Sequence, residues 1–85
     1  MPTLALSIVT PQRLVLEIDA QWVDIPAESG AMRALPLHAP TLGALGAGEV
    51  RFSDASSGAE KTIAIDGGFF EVLPDRVTLL ADSAS

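Results

Sequence analysis

Apolar side chains recur at alternate positions in several short runs along the chain, the spacing that places them on one face of a β-strand. Leu4, Leu6 and Ile8 share a face in the first run, and Thr10-Pro11-Gln12 ends it with a residue that cannot donate to a ladder. Leu14, Leu16 and Ile18 form the second run, with Glu17 and Asp19 turned the other way. Val23 and Ile25 begin a third, which Pro26 is expected to stop. Glu28-Ser29-Gly30 reads as a turn and residues 31–35 as a short strand. Pro36 and Pro40 then bracket Leu37-His38-Ala39 in an extended loop, because each proline fixes its own φ and restricts the residue before it. Gly43, Gly46 and Gly48 break an apolar stretch too short and too rich in glycine to hold a helix.

The second half reads as hairpins. Val50 and Phe52 lie in a strand, Ser53 to Ala59 make a polar loop around Gly58, and Ile63 and Ile65 belong to the returning strand. Asp66-Gly67-Gly68 tolerates positive φ and predicts a tight reversal before Phe69 to Leu73. A turn at Pro74-Asp75 leads into a last strand from Arg76 to Ala81. About eight to ten short strands with no helical periodicity predict an all-β fold, a two-sheet sandwich or flattened barrel. One domain is expected to fill residues 1–85, with Leu6, Ile8, Leu16, Val50, Ile65 and Leu79 in its core. Of the adjacent Phe69 and Phe70, only one can point inward.

Composition narrows the functional classes. The chain is 48% hydrophobic, which is ample for a core, and has no cysteine for a disulfide or thiolate metal site. A net charge of −6 with five Lys and Arg spread along the chain argues against nucleic acid as a partner, which needs clustered cations, and against anionic membrane surfaces. No run is long enough to span a bilayer and the N-terminus does not resemble a signal peptide, so no direct membrane insertion is expected and a cytoplasmic location fits.

Chemistry finds little to work with. His38 is the only histidine, and no motif ties it to the nearby hydroxyls of Ser29 or Thr41, so a catalytic role is disfavoured against a subunit contact or an ordinary loop histidine. The eleven carboxylates show no calcium-loop spacing; Asp19, Asp24, Asp54 and Asp66 read as solvent-facing residues of strands and turns. Gly67-Gly68 lacks the following helix and Lys-Ser/Thr pair of a phosphate cradle. No cofactor, metal or active site is expected. Trp22 is out of phase with Val23 and Ile25, which places its ring on an outer sheet face, at an interface or over a sheet edge.

Three stretches together resemble the N-terminal β-sandwich domain of the ATP synthase epsilon subunit, called delta in mitochondria. The first is Leu6-Ser7-Ile8-Val9-Thr10-Pro11. The second is Val23-Asp24-Ile25-Pro26-Ala27-Glu28-Ser29-Gly30, continuing through Leu35-Pro36-Leu37-His38-Ala39-Pro40 to Gly48-Glu49-Val50-Arg51. The third is Gly67-Gly68-Phe69-Phe70-Glu71-Val72 followed by Val77-Thr78-Leu79-Leu80-Ala81-Asp82. Their order and spacing, rather than any one of them, carry the resemblance.

The resemblance implies a non-catalytic central-stalk rotor subunit of a proton- or sodium-translocating F-type ATP synthase, peripheral to the cytoplasmic face of the membrane, that couples ion transport to ATP synthesis or hydrolysis. It implies contact with the gamma subunit through Trp22, Leu37, His38 and Thr41, on an apolar patch sharing a face with the His38 loop. It implies contact with the c-ring through Glu28, Ser29, Gly30, Ala31, Met32 and Arg33, projecting from the end of the domain. The alternative is a free-standing protein-binding module derived from the epsilon fold. Ala27, Arg33 and Leu37 stand where the family usually has glycine, and Ala31 where many members carry an acid. A positive φ at Arg33 or Leu37 would cost on the order of 1 kcal/mol or more. Because the sequence stops at Asp82-Ser83-Ala84-Ser85, it reads as a short form without the family's C-terminal helical hairpin, and braking and nucleotide binding are not expected to carry over.

Overall fold

A computed structural model describes residues 2–85. Seven strands follow one another: β1 (Leu4–Val9), β2 (Leu14–Ala27), β3 (Gly30–Ala34), β4 (Thr41–Ala44), β5 (Ala47–Asp54), β6 (Glu60–Leu73) and β7 (Arg76–Ala84). Their pairings form two layers sharing the long strands. The first half of β2 pairs with β1, which runs parallel to β7, and β7 pairs with the second half of β6 and through it with β4. The second half of β2 joins β3 and β5, and β5 pairs with the first half of β6. The result is the expected all-β sandwich.

The strands are fewer and longer than the alternation predicts, because two of them bend instead of ending. On β2 an extra residue at Gln21–Trp22, opposite Ser53, lets both Ala20 and Val23 face inward. This bulge changes the phase between Leu16-Ile18 and Val23-Ile25, which the sequence presents as two separate strands. A second irregularity, at Val15, pairs Leu14 with Val9 and turns Leu14 outward, correcting the expectation that it shares a face with Leu16 and Ile18. Leu16 packs against the core but is only half-buried, because it lies in the last regular pair before that break. Nor does Pro26 stop β2. Its carbonyl accepts a hydrogen bond from the Gly46 amide at 2.8 Å, and the strand continues to Ala27.

At Gly67-Gly68 the expected tight reversal is instead a corner within β6. Both glycines have positive φ, +70° and +116°, as their sequence suggests. The chain does not fold back, however, because β4 and β5 lie end to end along the same edge of β6 and kink at the same level. Ala44 is opposite Phe69 and Ala47 opposite Asp66, while between them the Leu45 amide donates to the Gly68 carbonyl at 2.8 Å. Only glycine fits the inner position. A Cβ on Gly68 would lie 2.0 Å from the Leu80 carbonyl oxygen.

Between the layers, Phe52, Leu4, Leu6, Ile8, Ile25, Leu79, Val23, Val50, Val72 and Val77 are almost wholly removed from water. Phe70 joins them, lying across Gly43 in the directly opposed pair, while Phe69 points outward.

Asp54 departs from the solvent-facing role expected of it. It is only 9% exposed and organises the β5–β6 loop, accepting from the Ser56 amide at 2.9 Å, the Ser56 hydroxyl at 2.7 Å and Lys61 Nζ at 3.1 Å. The Ser56 hydrogen bonds, then Lys61, lower its pKa from the ordinary carboxylate value to about 2. A carboxylate with a folded pKa below its unfolded one stabilises the fold above the unfolded pKa, and that stabilisation is lost as pH falls through the folded value. Wild-type protein should therefore lose stability between about pH 4 and pH 2, and Asp54→Asn should show a lower urea midpoint at pH 7 and a flatter profile across that window. Parallel profiles for the two proteins would refute this assignment.

Candidate interaction surfaces

Two outward faces of contrasting character follow from the pairing registers. Residues directly opposite in adjacent strands share a face. Across the layer built from β4, β6, β7, β1 and the start of β2, one such row reads Ala44, Phe69, Leu80, Val9 and Leu14. Every member is apolar, and Phe69, Leu80 and Leu14 are more than half exposed. Leu42, two residues from Ala44 on β4, extends the patch and is 76% exposed. The neighbouring row runs from Leu42 through Glu71, Thr78 and Ser7 to Glu17, so beyond Leu42 the face becomes polar.

The opposite layer presents charge. Asp24 lies opposite both Arg33 on β3 and Arg51 on β5. Arg33 grips it with a fork, Nε to Oδ1 at 2.6 Å and Nη2 to Oδ2 at 3.0 Å. Its guanidinium carbon also sits 4.0 Å from the centre of the Trp22 ring. Arg51 turns to Glu60 at 2.6 Å. Trp22 is therefore on an outer face, as its phase requires, but on the layer away from Phe69, which separates it from the apolar patch with which the sequence reading grouped it.

The loop between β3 and β4 adjoins the apolar face at Thr41 and Leu42. It is tied to the β6–β7 turn by the Leu37 amide, which donates to the Pro74 carbonyl at 2.8 Å. His38 Nδ1 lies 2.7 Å from the Ala39 carbonyl oxygen, and because a carbonyl only accepts, Nδ1 carries the proton. The Thr41 hydroxyl donates to the same carbonyl at 2.9 Å, so its proton is committed there and not to the imidazole. Leu37 has φ +70°, the one non-glycine residue in the left-handed region among those described, and its side chain is 79% exposed. Leu37→Gly should thus raise stability by about 1 kcal/mol, since glycine removes the left-handed penalty and no buried contact is lost. A rise in melting temperature of roughly 4–8 °C checks this; no rise, or a fall, counts against it.

At the far end of β2, Glu28 and Ser29 form the two-residue turn into β3, with Ala27 opposite Gly30. Only this turn is loop. Gly30, Ala31, Met32 and Arg33 are strand, and Arg33 lacks the positive φ that its glycine-like position raised as a possibility. The turn is anchored rather than freely projecting, because the Glu28 amide donates to the Ala44 carbonyl at 2.8 Å. Among the described residues no group of three or more His, Cys, Asp or Glu side chains could hold a metal, and no helix is long and apolar enough to cross a membrane.

Against known proteins, the profile of the family described as ATP synthase, Delta/Epsilon chain, beta-sandwich domain matches residues 3–85. The chain belongs to this family. The delta/epsilon domain is 43% identical over 84 residues to the ATP synthase epsilon chain of Anoxybacillus flavithermus, covering 99% of this chain and 61% of that relative. The chain thus spans less than two thirds of the length of such relatives. Its fold matches a chain of the mitochondrial ATP synthase of Euglena gracilis, in an assembly that includes the c-ring, with a TM-score of 0.91 at 21% identity over 100% of this chain and 54% of that one. It also matches a chain of the Tetrahymena thermophila mitochondrial ATP synthase, from its central stalk and c-ring, with a TM-score of 0.79 at 14% identity over 96% of this chain and 65% of that one.

Trp22's separation from Phe69 and Arg33's engagement with Asp24 could not be read from alternation alone. The one available signal was Asp24 and Arg33 flanking a turn, spaced to meet in a hairpin.

Proposed function

We propose that this domain is a non-catalytic rotor part of an F-type ATP synthase, joining the gamma subunit to the c-ring so that ion transport and ATP turnover stay in step. Family membership across residues 3–85 is the observation that carries the reading. The domain works at the membrane surface without inserting into it.

The gamma subunit covers the apolar patch of Leu42, Phe69, Leu80 and Leu14, with Leu37, His38 and Thr41 at its rim. An exposed apolar patch on a small domain needs a partner, and a polar rim around such a patch is the usual anatomy of an interface. Trp22, on the other layer, is left out of this surface. The c-ring is met by the Glu28–Ser29 turn and the adjoining Gly30, Ala31 and Met32, with Arg33 behind them, committed to Asp24.

Co-expression with gamma tests the reading. The chain should co-purify with gamma in equal amounts, and inverted vesicles lacking it should hydrolyse ATP with reduced ion pumping. A chain that purifies alone, with pumping unaffected by its deletion, would favour a free-standing binding module.

A further inference from the structure

We propose that Arg33 is a positioning residue: stacked on Trp22 and forked onto Asp24, it clamps the β2–β3 hairpin and so sets the aim of the Glu28–Ser29 turn. The consequence for coupling rests on the reading of that turn as a c-ring contact. The clamp itself rests on the geometry alone.

β3 is a five-residue edge strand whose strand pairing is with β2 only. β3 has one open edge and only β2 for a strand partner, so side-chain contacts across that pair weigh heavily on how firmly it is held. Asp24 and Arg33 are directly opposed, and the fork uses both carboxylate oxygens, which fixes the guanidinium plane as well as its position. Trp22 gives that plane a flat surface at 4.0 Å, and Trp22 itself belongs to the β2 bulge opposite Ser53. There the Ser53 hydroxyl donates to Gln21 Oε1 at 2.6 Å, joining the bulge to β5. The edge strand is thus connected through Arg33 to β2, and through the bulge to the middle of its layer. Lysine cannot replace this contact, because it has neither the fork nor the planar face.

Trp22 is the only tryptophan, so its fluorescence reports the stack without interference. In the 85-residue chain, Arg33→Ala and Arg33→Lys should both shift Trp22 emission to the red. Both should also speed amide exchange across Gly30–Ala34 by roughly five- to tenfold, with β1 and β7 amides unchanged. Asp24→Asn, which keeps the stack but weakens the fork, should give a smaller acceleration. Unchanged β3 exchange in Arg33→Ala, or full protection in Arg33→Lys, overturns the clamp. In the assembled enzyme, Arg33→Lys should lower ion pumping per ATP hydrolysed while leaving gamma bound. Faster exchange with unaltered pumping would leave the clamp standing and overturn the assignment of the turn to the c-ring.

Discussion

Gly68→Ala should be among the most damaging single substitutions in this chain, costing about 3 kcal/mol or more. At φ +116° the backbone is in a region L-residues rarely adopt, and the new methyl carbon would meet the Leu80 carbonyl oxygen at 2.0 Å and the Ala81 Cα at 2.9 Å. Both obstacles are backbone in the adjoining strand, so relief requires the β6–β7 ladder to move. A domain of this size has only roughly 4–13 kcal/mol of stability in total, and the melting temperature should fall by roughly 12 °C or more. Gly58→Ala is the matched control: its φ is +75°, but nothing lies within 4 Å of the added carbon, so a cost of only about 1 kcal/mol is expected. Equal losses at the two positions would mean that conformational strain alone, and not the close approach at the corner, decides the cost.

Phe69→Glu should weaken gamma binding by roughly 30-fold or more while leaving the isolated domain as stable as the wild type. In the free chain Phe69 is 68% exposed, so the substitution sacrifices little burial. In the complex the same position would lie at the middle of the apolar row between Ala44 and Leu80, where an unpaired carboxylate must be stripped of water. Thr62→Glu, on the outer face of the opposite layer, should leave gamma binding intact. Titration of gamma against each variant by calorimetry provides the measurement. The surface has been assigned to the wrong layer if Thr62→Glu releases gamma and Phe69→Glu does not.

Much of this could be read from alternation. The strand character of both halves, the rule that only one of Phe69 and Phe70 can point inward and the glycines with positive φ at 67 and 68 all follow from local rules. What alternation could not supply is continuity. Paired positive-φ glycines serve equally in a reversal and in a corner, and the difference lies in β4 and β5, some twenty residues earlier in the sequence, which pair with β6 on either side of its corner. The bulge at Gln21–Trp22 looks like a strand break because a phase change and a gap leave the same mark on an apolar pattern. Leu37 shows the reverse case: departures from a familiar glycine raised a left-handed backbone at Arg33 and Leu37, and among the described residues Leu37 alone of the non-glycines has it. The surfaces were less legible than the fold, since whether Trp22 and Phe69 share a face depends on which layer each half-strand joins.

The parallel pairing of β1 with β7 bears on how the domain is made. Ala5 to Val9 lie beside Arg76 to Leu80, so β1 must wait for β7 to leave the ribosome before its second edge is satisfied. Until then the β1–β2 ribbon has an open edge and the apolar side chains of Leu4, Leu6 and Ile8 lack their cover, a state prone to wrong pairings. Bringing together two strands so far apart in sequence carries a closure entropy that places folding in the slow, milliseconds-to-seconds range of sheet proteins. Nascent chains stalled before β7 emerges should accordingly remain protease-sensitive, however much of the earlier sequence is already outside the exit tunnel.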